Sequence, residues 1–296
     1  MSYLLIGNIS ALICEENIEP LANARIRIYL PSQNYGVEEL ARGIFKDLRR
    51  LSESDVQAKA DHLLAESMLD ERGNFSISWE DLHLFTEPLE MDICLNSVPG
   101  RHTGQQEWVQ FHLSTFVPHW KRSKNRYLGA FAYVVPADKW TVIRREFGAW
   151  VITGAVKHAE TLQGLKTLRV EAYNALNDRL LGWCNTSETG HYRLYFSRKD
   201  LSGGRLMQIL KNNDDLFSDG PDVYFKVYSG NQLVWHESKD IALQPERQQL
   251  KHCAKLNLFI QPAPAEKKPP RLSGWLNDFI QINKTRPHYK DRYVTY

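Results

Sequence analysis

Asp70-Glu71-Arg72-Gly73-Asn74-Phe75-Ser76-Ile77-Ser78-Trp79 and, more than a hundred residues later, Ser187-Glu188-Thr189-Gly190-His191-Tyr192-Arg193-Leu194-Tyr195-Phe196 follow one plan. A polar turn ends in glycine, then an aromatic residue opens an alternating stretch. The glycine suits a turn that needs a positive φ, a conformation costly for any residue with a Cβ. Side chains alternate across a strand, so Phe75, Ile77 and Trp79 share one face, as do Tyr192, Leu194 and Phe196. Each stretch is a turn followed by a half-buried strand.

Working outward, the flanks match as well. Upstream lie Gly7-Asn8-Ile9 with Pro20 to Tyr29, against Gly154-Ala155-Val156 with Gly164 to Tyr173. Both read as an opening strand, a turn and an alternating strand ending in tyrosine. Downstream, Glu90-Met91-Asp92-Ile93-Cys94-Leu95 parallels Asp222-Val223-Tyr224-Phe225-Lys226-Val227. Closing strands then run into proline at Phe131 to Pro136 and Asn257 to Pro262. The landmarks recur in the same order, and fixed internal order is the signature of a repeated unit. Short alternating strands separated by turn signals predict sandwiches. The expected fold is mainly β, with two tandem Greek-key-type β-sandwiches. The predicted domains are 1–136 and 150–262, joined by a linker at 137–149 in which Arg144-Arg145-Glu146 reads as solvated.

The second copy, with Gly154-Ala155-Val156, Leu165 to Tyr173, Thr186 to Tyr192 and Pro221 to Val227, resembles the transthyretin-like, or carboxypeptidase-regulatory-like, β-sandwich. The resemblance covers about residues 150–262 well and 1–136 more loosely. It implies spacers, adhesive units or assembly adaptors, including parts of bacterial toxin complexes and phage-tail-like contractile injection particles. Fold alone does not give function.

The first copy carries a helical insertion at about 36–68. Val37, Leu40, Ala41, Ile44, Phe45 and Leu48 fall at helical spacing, and a second helical run covers roughly Glu53 to Ser67, with Val56, Ala60, Leu63 and Leu64 on one side. These helices are expected to cap an end of the sandwich. Residues 263–296 form a C-terminal extension. It begins with a proline-rich stretch, read as a stiff linker. Leu272, Trp275, Leu276, Phe279 and Ile280 then make an apolar stripe on a short amphipathic helix. A helix this short is marginal alone in water and needs a surface to dock on, either its own second domain or a protein partner or neighbouring subunit, for which the stripe is the candidate site.

Composition narrows the chemistry. The 296 residues carry a net charge of +2, which selects neither nucleic acid nor an anionic surface. The basic run Lys121 to Arg126 reads as a solvated loop. No apolar run is long enough to insert in a membrane. The apolar start lacks a basic n-region and reads as a first strand rather than a signal peptide. Cys14, Cys94, Cys184 and Cys253 stand far apart in sequence, without CxxC spacing, and read as structural thiols of a reducing compartment. The expected location is the cytoplasm, or an assembled particle.

No GxSxG, Walker or GxGxxG motif is present, and the ten histidines form neither HxH nor HExxH. Two enzyme families that share the sandwich architecture resemble it less at their active sites. Pro221 to Lys226 has no histidine where intradiol dioxygenases hold iron, and Tyr293-Val294-Thr295-Tyr296 differs from the Tyr-Arg-Gly-Ser end of hydroxyisourate hydrolases. The acidic loop 212–222 lacks EF-hand spacing, with Phe217 and Lys226 where ligands belong, and leaves calcium open. Asp222 is expected to cap backbone amides. No catalytic set, cofactor or metal site is expected. The expected function is that of a non-enzymatic structural or adaptor protein in a larger assembly. The alternative is a small-ligand or carbohydrate-binding sandwich using Trp108, Trp120, Trp183 or Trp235.

Overall fold

A computed structural model of the chain describes residues 2–14, 16–31, 38, 48–80, 87–100, 107–201 and 220–261. The first predicted insertion helix (apart from Leu48), most of the acidic loop and the stripe of Leu272, Trp275, Leu276, Phe279 and Ile280 lie outside these residues.

The elements run β1 (Ser2–Ile13), β2 (Asn17–Pro20), β3 (Arg25–Tyr29), β4 (Arg49–Arg50), α1 (Glu53–Lys59), β5 (Leu63–Met68), β6 (Asn74–Glu80), β7 (Leu89–Leu95), β8 (Val109–Phe116), β9 (Lys121–Ser123) and β10 (Arg126–Val135). After them come α2 (Ala137–Glu146), β11 (Ala149–His158), β12 (Leu168–Asn174), β13 (Leu180–Asn185), β14 (His191–Ser197), a short helix Arg198–Leu201, β15 (Val223–Ser229), β16 (Gln232–His236), β17 (Cys253–Lys255) and β18 (Leu258–Ile260).

The strands form four sheets that pack as two sandwiches. In the first, β1 pairs antiparallel with β2 and β6 and parallel with β10. The facing sheet has the order β4-β8-β7-β3-β5. Ile9, Ile26, Ile28, Phe75, Ile77, Met91, Ile93 and Phe131 fill the space between them. In the second, β11 pairs antiparallel with β14 and parallel with β17 and β18, facing the sheet β13-β12-β15-β16. Its core includes Trp150, Val170, Leu194, Phe196, Phe225 and Val227. The alternation read from sequence holds, since Phe75, Ile77, Trp79, Tyr192, Leu194 and Phe196 are all buried.

The quoted turns are built alike down to single hydrogen bonds. Asp70 Oδ1 accepts from the amides of Arg72 and Asn74, both at 2.8 Å. Ser187 Oγ accepts from Thr189 (3.3 Å) and His191 (3.1 Å). Gly73 (φ +75) and Gly190 (φ +81) then lend their carbonyls to the amides of Ile9 (2.8 Å) and Val156 (2.9 Å). A Cβ on either glycine would press on the carbonyl of that same partner. Gly7 and Gly154 also match, because a Cβ there would strike the carbonyl of Phe131 or Leu256 on the parallel neighbour.

Two expectations fail. The helical run to Ser67 ends at His62, where a 3-10 turn (Ala60–His62) follows α1, and Leu63–Met68 is strand β5 on the edge beside β3. Val56 is half-buried while Ala60 and Leu63 are exposed, so the apolar face is not what seats α1. A Ser52–Asp55 capping box starts the helix, and its buried residue is Lys59. Available ladder partners on β3 outweigh the intrinsic helical preference of Leu63 to Met68, which tertiary context readily overrides. The solvated link at 137–149 is also corrected. Residues 137–146 are helical, Trp140, Ile143 and Arg144 are buried in it, and β11 begins at Ala149. Helical periodicity puts the basic Arg144 on the same face as Trp140, so it turns inward with it.

Candidate functional site

Helix α2 brings the sandwiches together. Arg144 is completely buried, and its Nη2 donates to Glu19 Oε1 and to the Pro99 carbonyl at 3.2 Å. Glu19, on β2 and 1% exposed, also accepts from Trp140 Nε1 (2.7 Å) and from the Tyr195 hydroxyl on β14 (3.1 Å). The guanidinium carbon lies 5.5 Å from the Trp140 ring and 5.4 Å from the Tyr195 ring. Burial, and after it the Glu19 charge, push the Tyr195 phenol up to about 12, so it stays a donor at neutral pH. One carboxylate of the first sandwich thus collects donors from the connecting helix and the second sandwich. Burying two charges is costly unless they are paired and hydrogen-bonded. Glu16 on the β1–β2 turn pairs with Lys255 on β17 as a further tie.

A second polar cluster covers the outer face of the β4-β8-β7-β3-β5 sheet. Lys59, from α1, lies 2.7 Å from Asp92 Oδ2, 2.8 Å from Glu90 and 4.5 Å from the Tyr29 ring. Gln110 Nε2 donates to Asp92 (2.8 Å) and to Tyr29 Oη (3.0 Å), while its Oε1 accepts from Arg27 (2.9 Å). His112 Nδ1 meets Asp92 at 3.0 Å, and its Nε2 meets the Thr115 hydroxyl at 3.2 Å. Burial would raise the Asp92 carboxyl, but its bonds to His112, Lys59 and Gln110 outweigh that and hold it below the usual carboxylate value.

Thr115, His112 and Asp92 have the connectivity of a nucleophile–base–orienter chain. The chain is enclosed, with Thr115 3% exposed and Lys59 neutralising Asp92. A reacting atom needs space beside the nucleophile. The adjacent cleft, of about 740 Å³, is lined by Arg25, Arg27, Arg50, Trp108 and Gln110 but not by Thr115 or His112. The cluster therefore anchors α1 beside a cleft of mixed charge, in which Glu53 and Glu107 line the wall with the three arginines. Arg25 stacks over Trp108 at 4.9 Å, and Glu66 pairs with both Arg25 and Arg27.

The four tryptophans proposed for ligand binding separate in the structure. Trp120 packs against Tyr3 and Trp79, and Trp235 lies against the second core. Trp108 and Trp183 are exposed, at 42% and 58%. Trp183 shares the outer face of the β13-β12-β15-β16 sheet with Tyr173, Tyr224 and Lys226. The two tyrosines stack at 5.4 Å, and Lys226 lies 4.2 Å from the Tyr173 ring. Lys121 to Arg126 forms an exposed hairpin, with Ser123 half-buried. Asp222 accepts from the Gln249 amide at 2.9 Å, the capping role expected of it. Sequence reading missed Glu19, Arg144, Lys59 and His112. Each is a polar residue in an unremarkable strand or helix, and only its distant partner gives it meaning.

Among the described residues no group of three or more histidine, cysteine or acidic side chains is placed to hold a metal ion, and no helix is long and apolar enough to cross a membrane. No family model matches the chain, and no curated protein matches it. Solved structures with a similar arrangement include a 9R-lipoxygenase from Cyanothece (16% identity, 42% of this chain, TM-score 0.26). The chain spans 18% of that lipoxygenase's length. They also include the shaft pilin SpaA of Lactobacillus rhamnosus GG (9% identity, 89% of this chain and 98% of the pilin, TM-score 0.28). A third is a putative carbohydrate binding protein from Pseudomonas aeruginosa (8% identity, 46% of this chain and 88% of that one, TM-score 0.24). Similarity at this level has no bearing on activity or ligand.

Proposed function

We propose that this chain is a non-enzymatic structural or adaptor protein that binds other proteins in a larger assembly, built from two copies of a transthyretin-like module at 1–136 and 150–262. The observation that carries the reading is the Glu19–Arg144 seam. Independent modules on a flexible link would not bury a charge pair and the Trp140 ring between them, with Tyr195 half-buried alongside. A body in which both sandwiches keep one fixed relation suits a part that sets distance and angle between neighbours. The repeated turns at Asp70 and Ser187 support the two-copy reading. The partner is taken by the segment after residue 262, through Leu272, Trp275, Leu276, Phe279 and Ile280. A toxin-complex or phage-tail-like injection particle, reached from the cytoplasm, is the proposed setting.

Sedimentation of native lysate compares the full-length chain with a version ending at Ala265. Full-length protein in a large particle and truncated protein outside it is the expected pattern. Replacing Trp275 and Phe279 together by Ala should release the partner while leaving the sandwiches folded, and unchanged association would overturn the assignment. A second reading rests on the 740 Å³ cleft, where Arg25, Arg27, Arg50, Glu53, Glu107 and Trp108 offer polar groups and one aromatic face to a small polar ligand or saccharide. Saturable quenching of tryptophan emission by an acidic oligosaccharide, lost in Trp108→Ala, would favour it.

A further inference from the structure

The outer face of the β13-β12-β15-β16 sheet presents aromatic and charged side chains in a grid. Register places Glu171 directly opposite Trp183 on one side and Lys226 on the other. The neighbouring rows pair Tyr173 with Tyr224 and Arg169 with Tyr228. The alternate residues of these strands, among them Val170, Ala172, Phe225 and Val227, fill the second core, so the grid points away from it. Its floor is held in place by its own bonds. The Tyr173 hydroxyl donates to Glu171 Oε2 at 2.5 Å, and Arg169 pairs with Oε1 at 3.0 Å and lies 4.7 Å from the Tyr228 ring. Tyr224 is buried, its hydroxyl donating to Asp178 at 2.8 Å. Trp183 stands exposed at the edge of this floor. Lys226 is bonded differently. Both Glu171 oxygens are engaged by Tyr173 and Arg169, and among the described residues no carboxylate lies within ion-pair distance of the Lys226 ammonium. It rests instead on the rings of Tyr173 (4.2 Å) and Tyr224 (5.8 Å). An ammonium seated on ring faces keeps its three donors for a ligand.

We propose that this face is a binding platform for an acidic saccharide, a chain of β-linked uronic acid units. A pyranose ring with equatorial substituents shows C–H groups on its two faces and polar groups at its rim. The C–H face suits the exposed indole of Trp183, and the rim suits the charged side chains beside it. The carboxylate suits Lys226, because Arg169 and Glu171 neutralise each other and leave the grid with the positive charge of Lys226. Trp183 and Lys226 lie two strands apart, about 10 Å. One unit stacked on the indole and the carboxylate of the next unit bridge that span. A wholly apolar partner would strip water from Lys226 and Arg169 and return no hydrogen bond, which is costly. The platform belongs to the second sandwich, whereas the cleft beside Trp108 belongs to the first, and it does not depend on the assembly role.

The test is isothermal titration calorimetry of the full-length chain with the tetramer of β-1,4-linked glucuronic acid and with cellotetraose. The two probes differ only in carrying a carboxylate or a hydroxymethyl group on each ring. The uronate should bind saturably, and cellotetraose at least about tenfold more weakly, the loss of a charge-assisted contact. Added salt should weaken the uronate selectively. Trp183→Ala and Lys226→Met should each weaken the uronate at least about tenfold, while Trp108→Ala binds as the wild type. Trp183 is exposed, and Lys226→Met keeps an aliphatic stem over the tyrosines, so both variants should melt at the wild-type midpoint. No heat from the uronate, equal affinity for the two tetramers, or full affinity in Trp183→Ala overturns the proposal. Binding lost in Trp108→Ala and kept in Trp183→Ala also overturns it, and moves the ligand to the cleft of the first sandwich.

Discussion

Replacing Glu19 by Ala tests the seam directly. The substitution leaves the Arg144 guanidinium fully buried without its carboxylate and orphans the donors Trp140 Nε1 and Tyr195 Oη. Removing one partner of a buried ion pair costs about 3–5 kcal/mol. Each orphaned donor would add about 1–3 kcal/mol if nothing relaxed. These terms share one acceptor and do not add in full, so about 4 kcal/mol is the working figure. For a body of this size that is a fall of about 10 °C in Tm. The double variant Glu19→Leu with Arg144→Met removes both charges and should recover at least about 2 kcal/mol relative to the sum of the single changes. Equilibrium urea unfolding followed by far-UV circular dichroism supplies the cycle. A single transition in the wild type that splits into two in Glu19→Ala would locate the loss at the junction. A cost below about 1 kcal/mol for Glu19→Ala, or strict additivity of the two changes, would refute the argument that this carboxylate joins the sandwiches.

Two further outcomes follow from the turns and the buried titratable groups. Gly73→Ala and Gly190→Ala should each cost more than about 2 kcal/mol, because the positive φ is compounded by a backbone carbonyl in the way. Gly230→Ala, at φ +59 in open space, should cost about 1 kcal/mol. Equal costs at the three sites in thermal melts would remove the clash from the account. Stability should also fall on acidification in two windows. Burial lowers the His252 pKa, and its Nδ1 donates to the Ala149 carbonyl at 2.9 Å. The unfolded chain takes up that proton first, so stability drops as pH falls below about 6.5. Asp92, held below the ordinary carboxylate range by bonds that overcome its burial, contributes stability that is lost only as pH falls below about 4. Urea midpoints between pH 8 and 3 check both, and His252→Gln should flatten the upper window alone.

The sequence by itself determined the mainly-β class, the repeating order of turns and strands, and the inward faces. Phe75, Ile77 and Trp79 needed nothing beyond a period of two, and Gly73 nothing beyond its turn, because these are local properties. Local signals were also where it erred. Leu63 to Met68 carries a plausible helical pattern, but β3 offers a ladder of hydrogen bonds that no sequence window contains. Arg144 beside Arg145 and Glu146 reads as solvent-facing until Glu19, 125 residues away, is found beneath it. Tertiary structure alone decided the seam and the Lys59–Asp92–His112 cluster. Charges acquire their chemistry from distant neighbours. Which neighbours they meet depends on how the two sandwiches close around α2, because a low-dielectric interior makes a charge depend on the few groups that reach it.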